Sequence, residues 1–431
     1  MKARYSTIFV AALMVILIGC APAVTQPQAP TTATQSPSVF APPVTSSKED
    51  TQTAAAAVHP VPTEYQQLYD SLSGKLDKFD RGLTNCSPTG QKIIYAVELL
   101  AANCNAGEKL LNESYYQGVL VWLDAFEKMG INGVKIAIDY PFFTPGFPNN
   151  DAYIKFYKRI VQECRSRKLV VLIANGNLFP NSPFSDLKYS FSGLTLEKYR
   201  QGKRQTCETI IRELHPDYLS IANEPTTEKL NMGIEQTPAQ FADTTSYVLN
   251  GLEHSGTLMG SGTGAWSNMN YIRELVKIPG LDYIDMHIYP VDYLQGAVDA
   301  AEIARAANKR LVLAEIGLYK VRDSEMSDLG RMATQATIYS RDVFSFWELL
   351  DSKFLQIVVK MAKCNGYEFI SPFWSTCLFS YIDYDSTTKN MTYNQLRQLD
   401  NNAAYSNAVT GKQSSWGETY RKIIALDQIA R

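Results

Sequence analysis

Two glutamates stand directly after apolar runs of the chain, at positions where a single Glu is more often a loop ion-pair partner than a nucleophile. Glu224 follows the run YLSIAN, and Glu315 follows the run RLVLA. A pair of carboxyl groups can divide acid–base work, because one can protonate a leaving oxygen while the other attacks carbon or activates water. We therefore take Glu224 and Glu315 as candidate catalytic residues, in the arrangement that glycoside hydrolysis requires.

The alternation of side chains along a strand predicts where these glutamates point. Counting by twos groups each glutamate with residues of the face opposite to the helices. The predicted inward groups are Ser220, Ala222 and Glu224 on one strand and Leu311, Leu313 and Glu315 on the other.

Eight short apolar runs alternate with longer helical patterns, which is typical of strands joined by helices in a parallel sheet. The runs cover residues 92–97, 133–138, 169–174, 218–222, 257–261, 283–287, 310–314 and 369–374. The helical patterns cover residues 65–79, 115–129, 151–167, 196–214, 238–254, 269–276, 294–307 and 332–364. The count favours a closed (β/α)8 barrel, or TIM barrel, in which the ends of strands four and seven face each other across the mouth. A doubly wound open sheet is the alternative, but its Gly-rich phosphate loop is missing after the first run.

The residues at the strand ends resemble those of the clan A glycoside hydrolases, nearest in style to family 5. The resemblance runs from about Lys92 to Trp374 and rests on Asn223-Glu224-Pro225, His287-Ile288-Tyr289, Ala314-Glu315-Ile316-Gly317 and Trp374. It implies a retaining enzyme that cleaves β-glycosidic bonds, with Glu224 as acid/base and Glu315 as nucleophile. It also implies that Asn223 binds the 2-hydroxyl, Tyr289 holds the nucleophile, His287 lines the cleavage subsite and Trp374 forms its floor.

Two positions depart from the family 5 pattern, so a divergent clan A family is an equal alternative. Lys135 stands where an Arg is typical, and Lys cannot form a bidentate guanidinium fork. Asn175 stands where many members have a His. Position alone suggests further substrate contacts at Trp266, Asn175 and Tyr140. Glu98 and Asp139 fit equally well as substrate contacts or as buried ion-pair partners of Lys135.

The N-terminus has the pattern of an export signal. A basic start and a short apolar run end in Leu17-Ile18-Gly19-Cys20, which resembles the lipobox of bacterial lipoproteins. We expect a signal peptide over 1–19, lipidation of Cys20, a disordered Pro/Thr/Ser/Gln-rich linker over 20–60, and the barrel over 61–431. The protein would then be anchored to a lipid bilayer at the bacterial cell envelope, outside the cytoplasm; an ordinary signal peptide is the alternative.

The amino-acid composition limits the kinds of ligand and partner that the chain can bind. The chain has 41 Lys and Arg against 43 Asp and Glu, so no strong field exists to attract nucleic acid. Only four His and no CxxC motif occur, which argues against a Cys/His metal site, and no cofactor or metal is implied. We expect a carbohydrate substrate and a monomer.

The cysteines allow disulfides in an exported protein. Cys86 with Cys104 is the best predicted pair, Cys364 with Cys377 is a weaker one, and Cys164 and Cys207 fit buried thiols.

Two other functions remain open at this stage. A barrel that binds sugar without turnover would show the same motifs, and a metal-dependent hydrolase would use Asp285 and His287 as ligands. His287, Tyr289 and Trp374 also have plain structural readings, as a buried histidine, a loop anchor and core packing.

Overall fold

The computed structural model describes residues 59–254 and 256–429. Eight parallel strands close into a barrel in chain order, with each strand paired to the next and β8 paired to β1. The strands are β1 (Ile94–Glu98), β2 (Gly133–Ala137), β3 (Val170–Ala174), β4 (Tyr218–Ser220), β5 (Leu258–Gly264), β6 (Tyr283–Ile288), β7 (Arg310–Ile316) and β8 (Phe369–Pro372). The predicted (β/α)8 barrel is therefore confirmed.

Helices precede, separate and follow the strands. They are α1 (Thr63–Gly82), α2 (Glu113–Lys128), α3 (Asn150–Ser166), α4 (Leu196–Leu214), α5 (Pro225–Met232), α6 (Pro238–Leu249), α7 (Asn270–Leu275), α8 (Leu294–Ala306), α9 (Met332–Asp342), α10 (Glu348–Asn365), α11 (Tyr393–Thr410) and α12 (Ser415–Ile429). The single pattern over 332–364 is two helices, α9 and α10, separated by a short 3-10 turn at Ser345–Trp347. Capping boxes at Thr237 and Thr392 start α6 and α11.

The barrel interior is filled by side chains from alternate strand positions. Its apolar members are Ala96, Leu172, Ala174, Tyr218, Tyr283, Val312, Ala314 and Phe369. The opposite strand faces pack with the helices in the main core. The inside of the barrel is thus solid, and the open space lies at the mouth where the strands end.

Two helices follow β8, and they have different tasks. Helix α12 packs against α10, and the hydroxyl of Tyr420 donates to the carbonyl of Ala96 in β1, so α12 covers the seam between β8 and β1. Helix α11 packs against α2 and α9 and lines the space above the mouth. Neither helix was predicted from the sequence.

The disulfide joins Cys86 to Cys364, with Cα atoms 5.7 Å apart. The predicted pairs Cys86–Cys104 and Cys364–Cys377 are wrong, and Cys104 and Cys377 are buried free thiols, as Cys164 and Cys207 are. Cys86 precedes β1 and Cys104 follows it. A five-residue strand separates its ends by about 16 Å, far beyond the reach of a disulfide. Cys364 ends α10 just before β8, at the same end of the barrel as Cys86.

The proposed signal peptide, Cys20 and nearly all of the linker lie outside the described residues. Within residues 59–254 and 256–429, no helix has the length and apolar character needed to cross a membrane.

Candidate active site

Glu224 is placed by a bend of the backbone at the end of β4. The backbone N–H of Ile221 donates to the carbonyl of Gly260, and that of Gly262 donates to the carbonyl of Ala222. Ile221 and Ala222 therefore both lie opposite Ser261. Such an extra residue bends a strand. Ser220 faces the barrel interior as predicted, but Ala222 packs in the main core. Glu224 then adopts a left-handed conformation with φ 52° before Pro225 begins α5.

Glu315 points into the mouth because β7 carries one residue more than its neighbours. The pairing shifts between Asp285–Val312 and His287–Glu315, so two steps on β6 match three on β7. Pairing with β8 shifts in the same sense. The prediction that Leu311, Leu313 and Glu315 share a face is wrong, because the two leucines pack toward the helices. A bulge, rather than simple alternation, turns Glu315 inward.

The two glutamates and His287 form a compact group. One side-chain ligand atom of each lies within 4.8 Å of those of the others. Nδ1 of His287 lies 2.6 Å from Oε1 of Glu224 and 3.4 Å from Oε2 of Glu315. The hydroxyl of Thr227 donates to the other oxygen of Glu224 at 2.6 Å. Both carboxyl groups therefore border one small space at the mouth.

Glu315 is held in its ionised form. Oε1 accepts a hydrogen bond from the ammonium of Lys135, and Oε2 accepts one from the hydroxyl of Tyr289. Burial alone would raise the pKa of Glu315, but the charges of His287 and Lys135, with these hydrogen bonds, lower it to about 2. Such a carboxylate keeps its charge at all ordinary pH values.

Lys135 is a buried cation between two carboxylates. Its ammonium lies 2.7 Å from Oε2 of Glu98, and the Lys135 side chain is 2% exposed. Burial opposes the charge, but Glu315 and Glu98 raise the pKa of Lys135. Burial raises the pKa of Glu98 to about 7, against the opposing charge of Lys135. The ion-pair alternative for Glu98 is therefore confirmed, whereas Asp139 lines the cleft.

The pKa of His287 is shifted as well. Burial would lower it, but the charges of Glu315 and Asp285 and the hydrogen bond with Glu224 raise it well above the ordinary value. Nε2 of His287 lies 3.7 Å from Oδ1 of Asp285, whose other oxygen accepts from Ser220 at 2.6 Å. Asp285 and Ser220 in the barrel interior thus form a hydrogen-bonded pair beside the ring of His287.

The cleft above these groups has a volume of about 1380 Å³ and is lined by aromatic rings. Trp374 lines it, with its ring centroid 5.5 Å from that of Tyr289 and 5.6 Å from that of Tyr339. Trp266 lines the cleft beside α5, where its indole N–H donates to Thr226 at 3.3 Å. Trp374 fits closely because a Cβ on Gly317 would lie 2.1 Å from its ring.

Not every predicted contact reaches this space. Asn223 lines the cleft and lies 3.5 Å from Nε2 of His287. The described lining does not include Asn175, whose amide donates to the carbonyl of Ile138 at 2.6 Å. Nor does it include Tyr140, whose ring packs on Gly202 and Tyr199. Asn175 directly follows β3 and Tyr140 stands three residues after β2, but the structure turns both side chains into the wall and away from the cleft.

The structure also brings in residues that the sequence analysis did not select. Tyr319 and Tyr339 line the cleft with their hydroxyls 2.7 Å apart, and Phe184 contacts the ring of Tyr339. Thr227 could have been selected by its position three residues after Glu224, one helical turn away. The aromatic residues lie on long loops and on α9, and no sequence signal marks them.

Glu224, His287 and Glu315 also offer ligand types that suit a divalent cation. The local chemistry argues against that use. Glu315 is already bound to the ammonium of Lys135, and a cation at this site would have to displace it.

No protein-family profile and no curated protein matches the chain. Solved structures with a similar fold include the three glycoside hydrolases that follow. An exo-β-1,4-mannosidase from Opitutaceae bacterium strain TAV5 is 14% identical with a TM-score of 0.49; the match covers 79% of this chain and 60% of that one. A GH5_18 protein from Bifidobacterium longum subsp. longum is 11% identical with a TM-score of 0.49, covering 78% and 79%.

A GH113 β-mannanase from Alicyclobacillus acidocaldarius is 11% identical with a TM-score of 0.43, covering 79% and 100%. At these identities the likeness concerns the fold, and the present chain spans only 60% of the length of the mannosidase. The chemistry is therefore inferred from the geometry of the site.

Proposed function

We propose that this chain is a retaining glycoside hydrolase that cleaves β-glycosidic bonds of an oligo- or polysaccharide by double displacement. The observation that carries the proposal is the spacing of Glu224 and Glu315, whose nearest oxygens lie within 4.8 Å. Both carboxyl groups can therefore reach one glycosidic bond. The retaining course rests on the resemblance of the strand-end motifs to the clan A glycoside hydrolases; retaining enzymes hold their carboxyl groups about 5–5.5 Å apart, and inverting enzymes about 6.5–9.5 Å apart.

The unequal surroundings of the two glutamates assign their roles. Glu315 has a pKa lowered to about 2 and is the nucleophile. Among the described residues, Glu224 is hydrogen-bonded to the imidazole of His287 and the hydroxyl of Thr227 and pairs with no Lys or Arg, and it is the acid/base. In the first step Glu224 protonates the leaving oxygen while an oxygen of Glu315 bonds to the anomeric carbon and the glycosidic C–O bond breaks. In the second step Glu224 takes a proton from water, whose oxygen displaces Glu315.

Hydrolysis of aryl β-glycosides, β-mannan, β-glucan and galactan tests the activity, and NMR of the first anomer released tests retention. Glu315→Gln should lower kcat by at least about 10³-fold. Glu224→Ala should spare substrates with good leaving groups and should recover activity with azide, which needs no base. Glu235→Gln, at an exposed carboxylate outside the cleft, is the matched control.

Release of the inverted anomer would overturn the retaining mechanism, and full activity of Glu315→Gln would overturn the assignment. Binding of sugar without hydrolysis would favour the alternative of an inactive carbohydrate-binding barrel. Loss of activity with EDTA, restored by a divalent cation, would favour the metal-dependent alternative.

We also propose that the protein is anchored outside the cytoplasm through lipidated Cys20, on the strength of the sequence Leu17-Ile18-Gly19-Cys20. Metabolic labelling with a fatty acid should mark the wild-type chain but not Cys20→Ser, which should leave the membrane fraction. Equal labelling of both would contradict the anchor.

A further inference from the structure

The cleft extends well beyond the catalytic pair, along one side of α11. Four amide side chains of this helix line it, namely Asn394, Gln398, Asn401 and Asn402, followed by Tyr405. All five residues are exposed. Asn394, Gln398, Asn401 and Tyr405 recur at helical spacing and form one row about 16 Å long. We call this row and the facing part of α2 the α11 groove.

The amide side chains of α11 fall into two groups, those that anchor the helix and those that line the groove. Those that anchor the helix are bonded: Gln395 belongs to the capping box, and Asn407 donates to the carbonyl of Phe379 at 2.8 Å. The four amides in the groove have no side-chain hydrogen bond to any of the described residues. Each therefore presents a free acceptor and two free donors, the groups that pair with sugar hydroxyls.

Aromatic side chains of α2 form the other wall. Tyr115 and Trp122 line the cleft, and the ring of Trp122 lies 6.2 Å from that of Tyr405. At Gly118 the two helices are close together, since a Cβ there would lie in ordinary contact, 3.9 Å, with the ring of Tyr405. Flat apolar faces beside unpaired amides suit pyranose rings, which carry C–H faces and hydroxyl edges.

The charges of the lining do not favour an acidic ligand. Lys109 pairs with Asp186 at 2.8 Å, and Arg397 pairs with buried Asp400 at 3.1 Å. Lys135 and His287 are bound to the carboxylates of the catalytic centre. Each Lys and Arg of the described lining is thus paired with a carboxylate, for which the carboxylate of a uronic acid would have to compete.

We infer that the α11 groove binds the distal sugars of a neutral glycan chain whose scissile bond lies at Glu224 and Glu315. The inference rests on the proposed function and narrows its substrate to uncharged chains of several sugars. The cleft volume of about 1380 Å³ exceeds the roughly 300–1,000 Å³ of ordinary small-molecule pockets, as a chain of sugars requires.

The test compares Gln398→Ala/Asn401→Ala with Ser406→Ala, a control on the exposed side of α11 outside the cleft lining. Alanine favours the helix at all three positions, so folding is preserved. Binding is measured in the full-length Glu315→Gln chain by affinity electrophoresis in gels that contain glucomannan, mixed-linkage β-glucan, galactan or polygalacturonate. At least one neutral polymer should retard the chain, and polygalacturonate should not.

The double variant should bind that neutral polymer about five- to tenfold more weakly, and the control should not change. With Glu315 restored, kcat/KM on a hexasaccharide of the same polymer should fall by a similar factor relative to kcat/KM on an aryl glycoside, through KM. Retention of binding in the double variant, binding of polygalacturonate, or no retardation by any neutral polymer would overturn the inference. Absence of hydrolysis on every substrate would instead refute the proposed function. It would not affect the test of the groove, because affinity electrophoresis measures binding and needs no hydrolysis.

Discussion

Lys135 of β2 donates a hydrogen bond to Glu315 of β7, so a cation from the opposite side of the barrel neutralises the proposed nucleophile. The same ammonium pairs with Glu98. Lys135 departs from the family 5 pattern, and these contacts explain its presence, because it binds both carboxylates at once. It contributes to holding the pKa of Glu315 at about 2, against the effect of burial.

Removing this cation should shift the acidic limb of activity. A nucleophile with a lowered pKa stays ionised until the pH falls to that pKa, so the acidic limb of kcat/KM in the wild type lies below the ordinary range of a glutamate. Lys135→Met should raise the pKa of Glu315, move this limb to higher pH and lower kcat/KM about 10–100-fold. The measurement is kcat/KM on an aryl glycoside across acidic pH.

Two controls separate charge from packing at Lys135. Lys135→Arg keeps the cation, and Lys135→Met/Glu98→Gln removes the carboxylate that would be left buried and unpaired. An acidic limb that stays in place in both methionine variants would show that Lys135 does not set the ionisation of Glu315.

Asp285 should control the protonation of His287. The raised pKa of His287 depends on neighbouring carboxylates, Glu315 and Asp285 first among them. In the wild type, ring signals of His287 should remain those of an imidazolium through neutral pH, and Asp285→Asn should bring its titration down toward the ordinary value near 6.5. The measurement is NMR of labelled histidines, and only four occur in the chain.

The raised pKa of His287 also determines at which pH the Asp285→Asn variant loses most stability. A histidine whose pKa is raised by folding stabilises the native state below its unfolded pKa, and this contribution is lost as the pH rises through the folded pKa. Asp285→Asn should therefore destabilise the protein more at pH 5 than at pH 9 in chemical denaturation. A loss of stability independent of pH would point to packing or to the hydrogen bond from Ser220 instead.

The sequence predicted the parts of this fold that depend on local pattern. Eight apolar runs in regular alternation were enough for the barrel, and short motifs at their ends were enough to select Glu224, Glu315, His287 and Tyr289, which the structure places in one group. Side-chain alternation failed on β7, because a bulge is a local irregularity with no sequence mark of its own.

Long-range relationships were beyond the sequence for a different reason. The partner of Cys86 lies 278 residues away, and only closure of the barrel between β8 and β1 brings the two together. In the same way, Asn175 and Tyr140 follow strands as a substrate contact would, but hydrogen bonding and packing in the finished wall turn their side chains away.

Gly317 should be required for the floor of the cleft. A methyl group there would lie 2.1 Å from the ring of Trp374, so Gly317→Ala must displace the indole. We expect a loss of about 1–3 kcal/mol in stability and a fall in kcat/KM, measured by denaturation and by aryl glycoside hydrolysis. Gly82→Ala, at the end of α1 outside the cleft lining and with no atom within 4 Å of the added carbon, is the matched control. Equal behaviour of the two variants would contradict a close fit between Gly317 and Trp374.

The disulfide should stabilise the barrel without serving the site. Cys86 and Cys364 lie before β1 and β8, at the end of the barrel opposite to the strand ends that carry the glutamates. Cys86→Ser/Cys364→Ser should lower the free energy of unfolding by about 2–5 kcal/mol, because the cross-link restricts a long loop of the unfolded chain. Aryl glycoside hydrolysis at 25 °C should stay within about twofold of the wild type. Dithiothreitol should lower the Tm of the wild type to that of the double variant and leave the double variant unchanged; an equal effect on both would place the stabilisation elsewhere.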